Sequence, residues 1–400
     1  MKLKRIFAFT ASLLAFCLIF AFFTRLLAPK HVTSLREGAL VGEYYLEADA
    51  GGEHQVIFLG DCEAYGSFIP AIIWENYGLT SFVRGSPAQR IWQSYYLLLD
   101  TLRYEKPGVV VLSVYALCHG ESASEPYNRL TLDGMRWSKI KLDAVQASMT
   151  EGESMLSYIF PLLRYHSRWS DLSREDIDYL FTKKTVSHNG YLITGGTLAP
   201  SALPTPEPLF DYSLPEISLE YLDKIRLVCQ QEGIRLVLVK SPMQSDAYYW
   251  YDEWDAQVRA YAEQYGLDYY NLINNEEIGI VGSDYADGVH LNFRGAEKTS
   301  VYFGKILKEN YFVNDSESAA APTASPTEVP AAPLVVPDDF IAAAPRATAH
   351  DGFIAATPRA TAPDGFIAAA SHATAHDEKT REIWQDKLTK YYNERNEVKK

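Results

Sequence analysis

Five short apolar runs, at residues 56–59, 81–83, 109–114, 236–239 and 267–270, alternate with stretches whose apolar side chains recur at helical spacing. Several of the runs are rich in β-branched residues and lack polar alternation, as strands buried on both faces require. Ile91, Trp92, Tyr95, Leu98, Leu99 and Leu102 mark one amphipathic helix. Leu222, Ile225, Val228 and Cys229 mark a second, and Trp254, Val258, Tyr261 and Tyr265 a third. Strand and helix in alternation, joined by right-handed crossovers, predict an α/β fold: a doubly wound parallel five-stranded sheet with helices on both faces. Between about 119 and 215 the alternation breaks, which predicts a helical insertion long enough to cap the strand ends.

The ends of the chain differ from this middle. Residues 6–24 form a stretch of 19 residues without a charge. As a helix they would span about 28 Å, close to a hydrocarbon core of about 30 Å. Lys2, Lys4 and Arg5 precede the stretch, so residues 1–30 read as a membrane anchor with a cytoplasmic amino terminus and the bulk of the chain outside. A cleaved signal peptide is the competing reading, but no small-residue cleavage site closes the segment. From 316 to 376, 28 of 61 residues are Ala or Pro, and Phe340, Phe353 and Phe366 each open a Phe-Ile-Ala-Ala unit, a period of 13 residues. Such a unit is too short and too poor in apolar side chains to offset the entropy of ordering, so 314–377 reads as a repetitive flexible linker. Charge returns over 378–400, where Ile383, Trp384, Leu388, Tyr391 and Tyr392 predict a short amphipathic helix, either solvated or docked on a partner or wall polymer.

Residues 31–313 then suit one large domain. With 47% hydrophobic and 22% charged residues, the chain excludes wholesale disorder. Lys and Arg total 37 against 51 Asp and Glu, a net charge of -14, and no basic stripe carries interleaved aromatics, which argues against a nucleic acid partner. The four cysteines, Cys17, Cys62, Cys118 and Cys229, show no CxxC spacing, so no metal or cofactor is expected.

In doubly wound sheets chemistry gathers at the carboxyl ends of the strands. Three segments converge there: Gly60-Asp61-Cys62-Glu63 after the first strand, Val83-Arg84-Gly85-Ser86 after the second, and Asp287-Gly288-Val289-His290 before the closing helix. In order and separation they resemble the blocks of the SGNH/GDSL hydrolase superfamily over about residues 54–310. The likeness is strongest to its membrane-anchored extracytoplasmic members, those resembling teichoic-acid D-alanine transfer proteins and polysaccharide O-acetyl-modifying proteins. The resemblance implies an SGNH/flavodoxin-like sheet, with Cys62 as nucleophile, His290 as general base and Asp287 as its orienting acid. Backbone N–H groups near Cys62 and Gly85 would bind the oxyanion. It also implies an acyl-ester substrate on a cell-surface glycan or polymer, and a membrane-bound O-acyltransferase partner. The sequence departs from the family pattern twice: Cys62 stands where Ser is usual, and Ser113-Val114-Tyr115-Ala116 replaces the Gly-x-Asn-Asp block.

Residue chemistry supports the same roles. A thiol beside an imidazole and a helix amino terminus is expected to favour the thiolate. Ser113 and Lys240, at the ends of the third and fourth strands, join Gly85 as oxyanion- or substrate-side candidates. Lys240 either contacts an anionic substrate or snorkels to water. Tyr248, Tyr249, Trp250, Tyr251 and Trp254 could stack on a sugar, and Asp133, Arg136 and Trp137 could shape an acceptor site. Cys62 and Cys118 follow strands expected to be neighbours, so a disulfide between them is open. His119, His166 and His188 lack a patterned partner.

Overall fold

The computed structural model describes residues 2–28, 39–181, 185–197, 208–244, 250–312 and 366–399. Lys30, Tyr248, Tyr249 and most of the repetitive linker lie outside them. The chain divides into two compact units, Met1–Tyr311 with Lys387–Lys400, and Phe312–Asp386.

Helix α1, Lys2–Leu27, is followed by α2, Ala39–Asp49. Strand β1, Val56–Gly60, leads through α3, Cys62–Ser67, and α4, Pro70–Tyr77, to β2, Ser81–Gly85. Helix α5, Ile91–Thr101, returns to β3, Val109–Ser113. The insertion follows, with α6, Glu125–Leu132, α7, Lys139–Ser148, α8, Met155–Ile159, α9, Leu162–Tyr165, and α10, Arg174–Phe181. Then come α11, Glu216–Glu232, β4, Arg235–Lys240, α12, Asp252–Tyr265, β5, Asp268–Asn271, α13, Phe293–Tyr311, and α14, Phe366–Val398. The five strands are parallel in the order β2-β1-β3-β4-β5, the doubly wound α/β sheet the alternation predicts.

Alternate strand residues serve opposite faces, as the pleat dictates. Ile57, Leu59, Val110, Leu112, Leu236 and Leu238 join a core with Trp92, Leu98, Leu222 and Ile225 of α5 and α11. On the other face Phe58 stacks on Phe68 at 4.6 Å between centroids, and Phe68 meets Phe303 of α13 at 5.3 Å. Each such side chain, once buried, contributes about 1.5–3 kcal/mol. Arg84 is a structural member of the second block. It is fully buried over the Tyr44 ring, and its guanidinium donates to Leu97 O, Thr101 Oγ1 and Asp100 Oδ2, tying β2 to α5.

The last turns of α14 dock on their own domain, so the expectation of a solvated helix is corrected. Leu388 and Tyr391 are buried with Ile69, Ile72, Tyr191, Leu291 and Ala296. Tyr391 Oη donates to Glu297 Oε1 at 2.7 Å, and Arg395 Nη2 donates to Glu297 Oε2 at 2.8 Å. Glu297 belongs to the first turns of α13, so this docking braces the helix that immediately follows His290.

Candidate active site

The β1–α3 turn is set by sterics. Gly60 has φ +150°, and a Cβ there would lie 2.6 Å from Ser113 Cβ, so only Gly lets β1 pass over Ser113. Asp61 caps α3 by accepting from the Glu63 N–H at 3.1 Å, and Cys62 occupies the first helical position. Gly85 is the register partner of Gly60. A Cβ at Gly85 would stand 3.0 Å from Gly60 O and 3.4 Å from Asp61 O, pushing on the turn that carries Cys62. Ser113 lies buried under this turn, and its Oγ has no hydrogen-bond partner among the described residues.

On the facing loop, His290 Nδ1 lies 2.8 Å from Asp287 Oδ2 and 3.0 Å from Oδ1. Asp287 Oδ1 also accepts from the backbone N–H groups of Val289 and His290. Burial raises the Asp287 pKa, but these hydrogen bonds and the imidazole outweigh it and hold the carboxyl below its ordinary value. An ionised carboxylate only accepts, which assigns the ring proton to Nδ1 and leaves the Nε2 lone pair open. Among the described residues Nε2 has no hydrogen-bond partner. Asn292 ties the loop down, donating to Gly196 O and Ser283 O and capping α13 at Arg294 N–H.

The charge of His290 reaches Glu63, the residue after Cys62, and those of Cys62 and Asp287 both reach Tyr65. No hydrogen bond joins Cys62 Sγ to His290. In unliganded sites such contacts are often long and tighten only around substrate.

The electrostatics around Cys62 run opposite to the thiolate expectation. Burial, then the Asp61 and Glu63 carboxyls, push the thiol well above its ordinary value. The helix it begins has six residues, and its amino terminus is already capped by an acid. Asp61 is itself pushed up to about 7 by burial and by Glu63. Lys240 is corrected too, since it neither snorkels nor stands free for a substrate. It is fully buried, with Nζ 2.6 Å from Glu63 Oε1 and donating to Ser241 O at 3.2 Å. Burial raises Glu63 as well, opposed by Lys240, and Glu63 Oε2 is buried without a partner among the described residues.

Sequence reasoning passed over Glu63 and Arg90. Arg90 Nε donates to Glu121 O at 2.8 Å, and its charge acts on the Asp61, Cys118 and Tyr115 group. Burial, then Arg90, lowers His119 to about 4, keeping it neutral. The signal for Arg90 was its place just past the second block, at the start of α5. All four cysteines are free, so no disulfide joins Cys62 and Cys118. The Cys118 thiol donates to Tyr115 O, and burial with the nearby acids raises it to about 12.

Among the described residues, most of the remaining candidates have structural partners, while Trp137 is half-exposed with Lys141 over its ring. Asp133 holds Arg129 and Tyr165, and Arg136 holds Asp49. Trp250 and Tyr251 both pack on Trp254. His188 pairs with Glu394, and the His166 ring meets the carbonyls of Leu162 and Leu163.

A family model matches residues 211–312, the span holding β4, β5 and the Asp287–His290 loop. No curated protein matches the chain. Among solved structures, the chain is similar to a protein assigned to the G-D-S-L lipolytic family from Desulfitobacterium hafniense. That match has 12% identity, covers 63% of this chain and 98% of that one, and has a TM-score of 0.33. A protein classed as an acylhydrolase from Bacteroides fragilis matches at 10% identity over 68% of this chain and 97% of that one, with a TM-score of 0.34. A GDSL-like lipase from Bacteroides thetaiotaomicron matches at 11% identity over 68% and 99%, with a TM-score of 0.31. The fold and the chemistry of this chain rest on its own sheet and on the residues described above.

Proposed function

We propose that the protein is a membrane-anchored, extracytoplasmic SGNH-like esterase or O-acyltransferase acting on acyl esters of a cell-surface glycan or polymer. The observation that carries the reading is the hydrogen-bonded Asp287–His290 dyad, its Nε2 open and its charge reaching Glu63, the residue after Cys62. Helix α1 supports the anchor: an 18-residue window within Lys4–Leu27 has a mean hydropathy of 2.5, and the helix is long enough to cross a bilayer.

Because its surroundings keep Cys62 a thiol, the reaction starts from S–H, with His290 as general base. Nε2 takes the thiol proton as sulfur bonds to the acyl carbon, and the carbonyl pair moves onto oxygen. Collapse of that intermediate breaks the ester C–O bond, and the imidazolium gives its proton to the departing alkoxide. The thioester left on Cys62 passes its acyl group to water or to a sugar hydroxyl, whose proton returns through His290 to the sulfur. Asp287 stabilises the imidazolium in between. Backbone N–H groups near Cys62 and Gly85 are the oxyanion donors in this reading. The absence of the Asn donor costs on the order of 100-fold or more in rate.

Turnover of a panel of acetyl and aminoacyl esters by the full chain in detergent, with Cys62→Ala and His290→Ala beside it, tests the proposal. Activity lost in both variants supports it, and activity retained in both contradicts it. A membrane-bound O-acyltransferase partner is part of the proposal and is tested by co-purification from membranes. The acids beside Cys62 favour a second reading, a non-catalytic glycan-binding protein on the same fold. Glycan affinity unchanged by Cys62→Ala, with no turnover on the whole panel, would select it.

A further inference from the structure

We propose that the insertion segment from α8 to α10 lies in the membrane interface, its apolar face in the lipid beside α1. The inference rests on reading α1 as a membrane anchor. Leu156, Phe160, Leu163, Trp169, Ile177 and Phe181 are all exposed, with Trp169 at 72% and Phe181 at 84%. These six large exposed apolar side chains fall within 26 residues, a density beyond the single scattered residues that need no explanation.

Their position relative to α1 identifies the occupant. The Phe160 ring meets Phe20 of α1 edge-on at 6.1 Å between centroids. Arg168 Nη1 donates to Leu27 O at 2.7 Å, and Arg25 Nη2 donates to Leu180 O at 3.1 Å, so the segment is tied to the carboxyl end of α1. Phe20 lies four residues inside the uncharged stretch that ends at Thr24, about 6 Å along the helix axis. Interfacial helices sink about 5–10 Å into the headgroup and acyl boundary, so a segment held at Phe20 sits at that depth. Trp169 is the residue type enriched there. The charges of the segment are mixed: Arg164, Arg168 and Arg174 stand with Asp171, Glu175, Asp176 and Asp178. The attraction is therefore to hydrocarbon and does not depend on anionic lipid. The insertion is thereby held at a fixed height at the membrane surface.

The test uses the full chain with Cys17, Cys62, Cys118 and Cys229 replaced by Ala, reconstituted in pure phosphatidylcholine vesicles. Single spin labels are placed through Leu163→Cys, Trp169→Cys or Ile177→Cys, through Leu13→Cys in α1, and through Lys305→Cys on α13 as an aqueous reference. Circular dichroism checks that each variant is folded. Collision with oxygen exceeding collision with a water-soluble nickel chelate at 163, 169 and 177, as at 13, is the expected result. Lipid exposure at 13 with water exposure at the three insertion positions overturns the inference and leaves the anchor standing. Water exposure at 13 overturns the anchor reading, and the inference with it. Labels that are wet in these vesicles but shielded in native membranes indicate a membrane-protein partner on the face, and they overturn the lipid assignment.

Discussion

Lys240 Nζ sits 2.6 Å from Glu63 Oε1, with both side chains out of solvent, joining the end of β4 to the helix that begins at Cys62. The ion pair holds two charges in the floor of the site and offers neither freely to a substrate. Removing one partner strands the other, so Lys240→Met and Glu63→Gln are each expected to cost about 3–5 kcal/mol. The double variant should be markedly less unstable than the sum of the two. Urea denaturation of all four proteins measures this, and additive losses would show that the pair is uncoupled.

Asp61 offers a pH readout. Its carboxyl is raised to about 7 from an ordinary value of 3.8, by burial first and Glu63 second. A group raised in the folded state contributes stability below its unfolded pKa and loses it as pH climbs through the folded one. Wild-type stability should therefore fall between about pH 4 and 7 relative to Asp61→Asn, which keeps the cap to Glu63 without the charge. Urea midpoints for the two proteins should coincide near pH 4 and diverge by pH 8 in favour of Asn. Parallel curves would contradict the burial of this acid.

Cys62 should alkylate slowly. With the thiol pushed up by burial and two acids, the rate with iodoacetamide should still be rising well above pH 8.5, where an ordinary thiol is half ionised. Glu63→Gln removes one of those acids and should shift the profile downward. A plateau near neutral pH would mean that the thiolate forms readily after all.

Asp287→Asn leaves the loop hydrogen bonds to a side-chain oxygen but removes the charge facing His290. If the site is catalytic, ester turnover should fall by about 100- to 10,000-fold with little change in melting temperature. A loss under threefold would remove Asp287 from the mechanism.

The docked end of α14 should matter for stability. Tyr391 is fully buried and reaches Glu297. Tyr391→Phe, which removes only the hydroxyl, should cost about 1 kcal/mol, and Tyr391→Ala about 3–5 kcal/mol. Unfolding of the full chain measures both, and unchanged stability in Tyr391→Ala would mean that the helix does not dock.

The sheet was legible because strands such as Val109–Ser113 are buried on both faces and run almost wholly apolar, a pattern visible one residue at a time. The His290–Asp287 contact was legible because three residues of spacing in a turn suffice to bring the two side chains together. The Lys240–Glu63 pair was not, because its members are 177 positions apart and a lysine ending an apolar strand looks the same whether it snorkels or is sealed in. The thiol environment was hidden for a related reason. A helix start after Gly60-Asp61 suggests a positive field at Cys62, while the burial and the two acids that outweigh it belong to a turn packed against Ser113 and Lys240, both far away in sequence. At the carboxyl end, Leu388 and Tyr391 announced an apolar helix face, but its binding surface is assembled from Ile69, Tyr191 and Leu291, far away in sequence.

The central claim is most directly tested by trapping the acyl group. The full chain is mixed with p-nitrophenyl acetate, quenched in acid and measured by intact mass, then by peptide mapping. The account predicts a single acetyl group on Cys62, absent from Cys62→Ala and slow to form in His290→Ala. A protein that gains no acetyl group, or gains it equally well without Cys62, would contradict it.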